Sequence, residues 1–210
     1  MSDPFSQEAW DERYRSRDAL WSGNPNPHLV AEAGDLIPGH ALDVGAGEGA
    51  DAIWLASRGW HVIAVDLSTV ALERACAHAD RAGPDIARRI DWVHDDVTSW
   101  DPGTGRYDLV SVQYMHLPPA PRKAMLEQLA TAVAPGGSLL IVGHHPSDLH
   151  TTVQRPHTPE LLFTGDDIAA ELDPGRWTII TNAAPERTAT DPDGNAVTVH
   201  DTVLRATRRV

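Results

Sequence analysis

From residue 40 onward, short apolar runs alternate with longer stretches of helical periodicity, the pattern of a parallel sheet with crossover helices. HALDVG (40–45) predicts a buried strand and DAIWLASRG (51–59) a helix closed by Gly59. HVIAVDLS (61–68) predicts a second strand and TVALERACAHADRAG (69–83) a helix closed by Gly83. RIDWVHDDV then predicts a third strand and YDLVSVQYMH a fourth, followed by a helix in PRKAMLEQLATAVA behind prolines and a fifth strand in GGSLLIVGHH. In that helix Met125, Leu126, Leu129 and Val133 fall close to helical spacing while Arg122, Lys123 and Glu127 face away, so its apolar side reads as core.

The remaining chain departs from this alternation. TGDDIAAELD predicts a short helix capped by Thr164, and WTIITNA and AVTVHDTVLRATR predict two strands around the turn signal DPDGN, a hairpin that finishes the sheet. The stretch between His144 and Phe163, rich in His, Pro and Thr, is too long for a plain connection, and such loops are usually functional or disordered. The expected fold is α/β, with a doubly wound, mostly parallel seven-stranded sheet.

Composition narrows the function classes. The 210 residues are 41% hydrophobic, enough for one domain spanning 1–210. The one cysteine, Cys76, excludes an internal disulfide and makes a cytoplasmic setting the expectation. The polar start MSDPFSQEAWDERYRSRD lacks the core of a secretory signal, and no run of about 18 apolar residues occurs, so neither export nor membrane insertion is expected. A formal net charge of −13 argues against a nucleic-acid partner, because neutralising phosphates takes clustered Lys and Arg. The expected partner is a small molecule, and a monomer is the default.

The stretch LDVGAGEGAD (42–51) carries the chemistry. A glycine-rich turn from strand to helix lets a ligand approach the backbone and exposes helix-terminal N–H groups. Read as Gly45, Gly47 and Ala50, with Asp66 about twenty residues on, it satisfies the dinucleotide fingerprint. Charge discriminates better than spacing. Asp43 before the loop and Glu48 within it would repel a pyrophosphate, whereas a ligand with a cationic amine and sulfonium would find Asp43 a charge-assisted acceptor. S-adenosyl-L-methionine is such a ligand. Asp66 could then accept from both ribose hydroxyls, and HDDV could accept from the adenine amino group. A plainer reading of Glu48 and Asp51 is that acids in a helix's first turn stabilise it by about 0.3–1 kcal/mol with or without ligand.

LDVGAGEGAD, VDLS, HDDV and APGG before the fifth strand resemble, in order and spacing, the class I S-adenosylmethionine-dependent methyltransferases. The resemblance runs from about Ala41 to the C-terminus and implies a Rossmann-like core over 40–210 whose final strand is inserted antiparallel to the others. Carried over position by position, it implies that Asp43, Gly45, Ala46 and Gly47 line the methionine end, Asp66 and Leu67 the ribose, and Asp96 and Val97 the adenine, with Asp95 competing for Asp96's role. WDERY, WSGNPNPHL and WLASRGWHVIAVDLS are similar to the thiopurine and tellurite methyltransferase branch. That similarity implies an N-terminal cap segment over 1–39 that closes on the cofactor through Trp10, Tyr14 and Trp21. The alternative for these aromatics is a hydrophobic flap on the sheet.

Methyl transfer from sulfonium is an in-line displacement, so alignment and water exclusion are the protein's main tasks. A soft anion needs no general base near neutral pH; an alcohol or amine gains more from one. Ligands in open α/β sheets sit beyond the carboxyl ends of the strands, which here selects QYMHLPP and GHHPSD. His116 is the candidate catalytic base, against the plainer reading that it bonds backbone at the strand end; Gln113 and Tyr114 border the methyl donor. His144, His145, His150 and His157 suggest a metal only weakly, since neighbouring histidines on a strand point to opposite faces and no cysteine accompanies them. No metal is expected, and these residues read as a polar wall around the acceptor. His40 and His61, at strand starts, lie on the wrong edge for chemistry. The expected activity is methyl transfer to a small-molecule acceptor, a thiol or other soft nucleophile. The competing readings are an NAD(P)-dependent oxidoreductase and a cofactor-binding regulator without catalysis.

Overall fold

A computed structural model describes residues 3–153, 155 and 158–210. Two helices open the chain, α1 (Gln7–Arg15) and α2 (Pro27–Ala33). The alternation then appears as β1 (His40–Val44), α3 (Ala50–Ser57), β2 (His61–Asp66), α4 (Thr69–Ala82), a short α5 (Pro84–Ala87), β3 (Ile90–His94), β4 (Tyr107–Gln113), α6 (Pro119–Ala132) and β5 (Val133–His144). After two 3-10 turns come α7 (Gly165–Ala169), β6 (Trp177–Ala183), β7 (Glu186–Thr190) and β8 (Ala196–Arg208). The helices start where the sequence supplies caps: Ser68 accepts from the Ala71 N–H ahead of α4, and Thr164 and Asp167 close a capping box on α7.

The sheet runs β3-β2-β1-β4-β5-β8-β6. β1 to β5 pair parallel, and β8 lies antiparallel between β5 and β6, the inserted final strand the resemblance implied. The hairpin differs from the expectation. DPDGN joins β7 to β8 rather than β6 to β8, and β7 is an eighth strand that pairs only with β8. ERTAT gives no apolar signal because β7 alternates between partly and largely exposed positions. It is held by the first five residues of β8, which run past the end of β5 and pair Glu186 with His200 through Thr190 with Ala196.

Both faces of the sheet are covered. Leu42, Val44, Val110 and Val112 pack against Met125 and Leu129 of α6 with Phe163 and Ile168, while Ala41, Val62 and Ala64 pack against Leu29 of α2 and Leu55 of α3. Val133, expected on α6, begins β5 and is fully buried there. β1 pairs with β2 on one side and β4 on the other, so the chain order reverses at β1, and ligands of open α/β sheets bind beyond the carboxyl ends of the strands at such a switch point. The loop after β5 is tied down at two points: buried Asp148 accepts the His200 N–H at 2.8 Å and pairs with Arg155 at 2.7 Å, and the Thr152 hydroxyl donates to Asp191 at 2.8 Å. His157 lies outside the described residues. Among the described residues, no helix is long and apolar enough to cross a membrane.

Candidate active site

The loop between β1 and α3 is folded back onto the end of β2. The N–H groups of Gly45 and Ala46 both donate to the Val65 carbonyl, at 2.8 and 3.0 Å, and the Gly47 N–H donates to Asp66 Oδ2 at 2.8 Å. Gly45, Gly47 and Gly49 all have positive φ, which only glycine adopts cheaply. They do different work. A Cβ on Gly47 would stand 3.0 Å from the Tyr14 hydroxyl, whereas one on Gly49 would stand 2.6 Å from the Trp92 ring and 2.9 Å from Ala75 Cβ. Gly49 therefore allows β3 and α4 to pack closely against the loop, and Gly47 lies under Tyr14 and Trp21. Asp66 Oδ1 accepts the Ser68 N–H at 2.8 Å, so the ribose candidate first holds the loop and the entry to α4 in place. Leu67, next to it, gives its carbonyl to His94 Nε2 at 3.0 Å.

Asp43 is buried among the strands, and its Oδ2 has no hydrogen-bond partner. Burial raises its pKa well above the carboxylate range, and the nearby Asp51 and Asp66 raise it further. Burial likewise lifts Asp51 to about 6, although it accepts the Asn26 N–H, and raises Asp66. Three carboxyls thus crowd the carboxyl ends of β1 and β2, and among the described residues no Lys or Arg pairs with them. An unpartnered buried carboxyl costs stability until a proton or a cationic ligand reaches it, and an ammonium group supplies what this site lacks.

The N-terminal segment closes directly on the loop. Trp21 Nε1 donates to the Tyr14 hydroxyl at 3.1 Å over Gly47, with Tyr14 buried and Trp21 55% exposed. Trp10 stands 6.2 Å from the Tyr14 ring and carries the Arg13 guanidinium at 4.4 Å. Asp11 anchors α1 at the start of α4, accepting from the Ser68 hydroxyl at 2.6 Å. Glu48 corrects the charge argument made from sequence. It accepts the backbone N–H groups of Leu20 and Trp21, both at 3.2 Å, and pairs with Arg74 at 2.9 Å. Its charge is neutralised and spent on holding the N-terminal segment, so Asp43 alone carries the case against a pyrophosphate.

At the end of β3, Asp96 Oδ1 accepts from the Thr98 N–H and hydroxyl at 2.9 and 2.7 Å, and the Asp96 N–H donates to Asp95 Oδ1 at 2.8 Å. Asp95 is occupied in shaping the turn, Asp96 keeps its second oxygen, and Val97 is buried beside it.

Beyond β4 the chain is strained. Tyr114 has φ of 52°, the one positive value at a residue other than glycine among the described residues. Gln113 donates to the Ser111 hydroxyl at 2.9 Å and leaves its own buried Oε1 without a partner. Met115 reaches the glycine loop, its Cε 2.7 Å from where a Cβ on Gly45 would stand. His116 Nε2 accepts the His144 N–H at 3.1 Å, and a backbone bond to Tyr114 engages the ring as well. Burial, with His144 alongside, lowers its pKa to about 4.

Sequence reasoning did not find the cluster next to it. Asp201 on β8, fully buried, binds Arg187 of β7 at 2.6 Å and His28 of α2 at 3.1 Å, and His144 Nδ1 stands 3.7 Å away. Burial alone would raise the Asp201 pKa, but His144, His28 and Arg187 together hold it far below the carboxylate range. An aspartate inside an apolar strand pattern gave one signal, yet its partners come from three distant segments. His145 is turned to Ser147, and among the described residues no group of three or more His, Cys, Asp or Glu is arranged to hold a metal ion.

Three comparisons place this geometry. Residues 41–137 match the family described as a methyltransferase domain. The probable thiol methyltransferase 2 of Arabidopsis thaliana is 29% identical over 64% of this chain and 61% of its own length, so the match spans less than two thirds of that relative. Two solved structures align along 97% of the chain. One, on the conversion of a disulfide bond into a thioacetal group during echinomycin biosynthesis, has a TM-score of 0.74 at 23% identity and is covered over 91%. The other, the 1,6-didemethyltoxoflavin-N1-methyltransferase of Burkholderia thailandensis with bound 1,6-didemethyltoxoflavin and S-adenosylhomocysteine, has a TM-score of 0.67 at 21% identity and is covered over 87%. Residues 41–137 thus resemble a methyltransferase domain, and along 97% of its length the chain has the mixed α/β, Rossmann-like fold of the methyltransferase structure it aligns with.

Proposed function

We propose that this protein transfers the methyl group of S-adenosyl-L-methionine to a small-molecule acceptor, a thiol or other soft nucleophile. The observation that carries the reading is Asp43, a buried carboxyl with an unpartnered oxygen next to a loop whose glycines hold positive φ. Asp43 would receive the ammonium group, with Gly45, Ala46 and Gly47 along the methionine end. Asp66 and Leu67 would take the ribose through the lone pairs their turn bonds leave free, and Asp96 Oδ2 and Val97 would border the adenine. Gln113, with its orphaned Oε1, would stand beside the reacting centre. The bound donor supplies an already activated methyl group, so the chain's own work is alignment and exclusion of water.

Residues 1–39 act as a cap on the core at 40–210 within one domain, with Trp10, Tyr14 and Trp21 closing over the donor. Of the two roles weighed for His116, its engaged ring favours bonding backbone and walling the acceptor pocket over accepting a proton. Sulfur acceptors are suggested by the thiol methyltransferase relative and the thioacetal-forming structural neighbour. A monomer acting in the cytoplasm, without nucleic acid, fits the single cysteine and the acidic balance. Calorimetric titration with S-adenosylmethionine, S-adenosylhomocysteine and NADH tests the reading. Heat with the first two and none with NADH is expected, and the reverse would sink it.

A further inference from the structure

We propose that His144 and Asp201 form a base and its orienting carboxylate, so that the acceptor arrives protonated, as a neutral thiol, and loses its proton to His144 Nε2 during transfer. The proposal rests on the methyl-transfer reading and narrows its acceptor class.

His144 and Asp201 face each other across the β5–β8 pair, with Nδ1 3.7 Å from Oδ1. Nδ1 is buried and has no hydrogen-bond partner. The ring is gripped on its faces by His116, stacked at 4.8 Å and 13°, and by Tyr114 at 4.7 Å, and its backbone N–H is fixed on His116. Among the described residues, only Asp201 is placed to choose its tautomer. That carboxylate is kept ionised by Arg187, which reaches both oxygens at 2.6 and 3.2 Å, and by His28. A carboxylate facing Nδ1 keeps the proton there and leaves the lone pair on Nε2, at the opposite edge of the ring.

Among the described residues, the charged and titratable groups around His144 are Asp201 on β8, Arg187 on β7, Arg155 on the loop, His116 and Tyr114 after β4 and, through Asp201, His28 on α2. Burial, with Arg155 and Arg187, lowers the His144 pKa against the pull of Asp201, so the ring is neutral and its lone pair free near neutral pH. Tyr114 and Met115 link the pair to Gly45 of the loop. A preformed thiolate or oxyanion would need none of this. As the acceptor atom bonds to the methyl carbon, the carbon–sulfur bond breaks and its electron pair stays on sulfur as a neutral thioether. The acceptor's proton passes to Nε2, Asp201 stabilises the imidazolium, and the proton leaves to solvent.

The test uses the full chain. Nitrogen NMR of the imidazoles, with His144 assigned by its loss in His144→Gln, should show Nδ1 protonated and Nε2 unprotonated near neutral pH, and Asp201→Asn should mix the tautomers. A proton on Nε2 in the unsubstituted protein overturns the pair. Labelled methyl transfer to 2-mercaptoethanol, protonated at neutral pH, and to 4-nitrothiophenol, already ionised, gives the functional arm. His144→Gln should lose about 100-fold in kcat/KM on the first thiol and at least ten times less on the second. Equal losses, or transfer by the unsubstituted protein to the ionised thiol only, overturn the proposal. Absence of binding heat with S-adenosylhomocysteine defeats the methyl-transfer reading instead. If that ligand binds and neither thiol is methylated, the soft-acceptor reading falls, and the tautomer of His144 still decides the pair.

Discussion

Arg74 on α4 binds Glu48 of the glycine loop at 2.9 Å and, through its other terminal nitrogen, the carbonyls of Tyr14 and Arg17, each at 2.9 Å. One guanidinium therefore joins the loop to the segment above it. Arg74→Leu leaves a buried carboxylate and two carbonyls short of donors, which should cost about 1.5–3 kcal/mol in denaturant unfolding. Amide exchange should quicken selectively at residues 14–21, and affinity for S-adenosylhomocysteine should fall with it. Exchange that rises uniformly along the chain would mean the pair only stabilises α4.

Asp43→Asn keeps the shape of the side chain and removes the charge. Losing a charge-assisted bond to an ammonium group should weaken S-adenosylhomocysteine binding roughly 10- to 100-fold in calorimetry, while the free protein stays folded. Unchanged affinity would refute the assignment.

The raised carboxyls also fix a sign with pH. With folded pKa values above their unfolded ones, Asp43 and Asp51 favour the free folded protein at low pH, and the Asp51 contribution is lost as pH rises through about 6. A cationic ligand reverses the preference, so its binding should release protons near and below about pH 6. Comparing binding heats in two buffers of different ionisation enthalpy reads this directly, and identical heats would count against it.

His116 contributes in the opposite sense. Its folded pKa near 4 lies below the ordinary 6.5, so its stabilisation is full above about pH 6.5 and is lost as pH falls toward 4. The loss amounts to roughly 3 kcal/mol as an upper bound. His116→Gln keeps an acceptor for the His144 N–H without a titrating ring, and should flatten the fall in Tm between about pH 6.5 and pH 5. An unaltered slope would place the acid sensitivity elsewhere.

The glycines of the loop should separate in their effects. Gly49→Ala drives a methyl into the Trp92 ring and Ala75 at a positive φ, and should destabilise the fold by about 2–4 kcal/mol. Gly47→Ala meets the Tyr14 hydroxyl and the edge of the exposed Trp21, and should lower ligand affinity more than it lowers Tm.

By itself the sequence determined the layered α/β order, the loop at the end of β1 and the acids on either side of it. Those features are local: apolar periodicity, glycine spacing and caps are written in consecutive residues, and the inserted final strand followed from a resemblance carried by such motifs. It did not determine β7, whose alternating exposure carries no hydrophobic signal and which exists because β8 outruns β5. Nor did it reveal that Glu48 serves Arg74 and the Trp21 backbone rather than the ligand, since that depends on residues 26 to 28 positions away. Only the tertiary structure decided which histidine has a carboxylate behind it. His116 lies in the expected place with its Nε2 already occupied, while His144 faces Asp201 because β8 enters the sheet antiparallel beside β5, a pairing across 57 residues that no local pattern encodes.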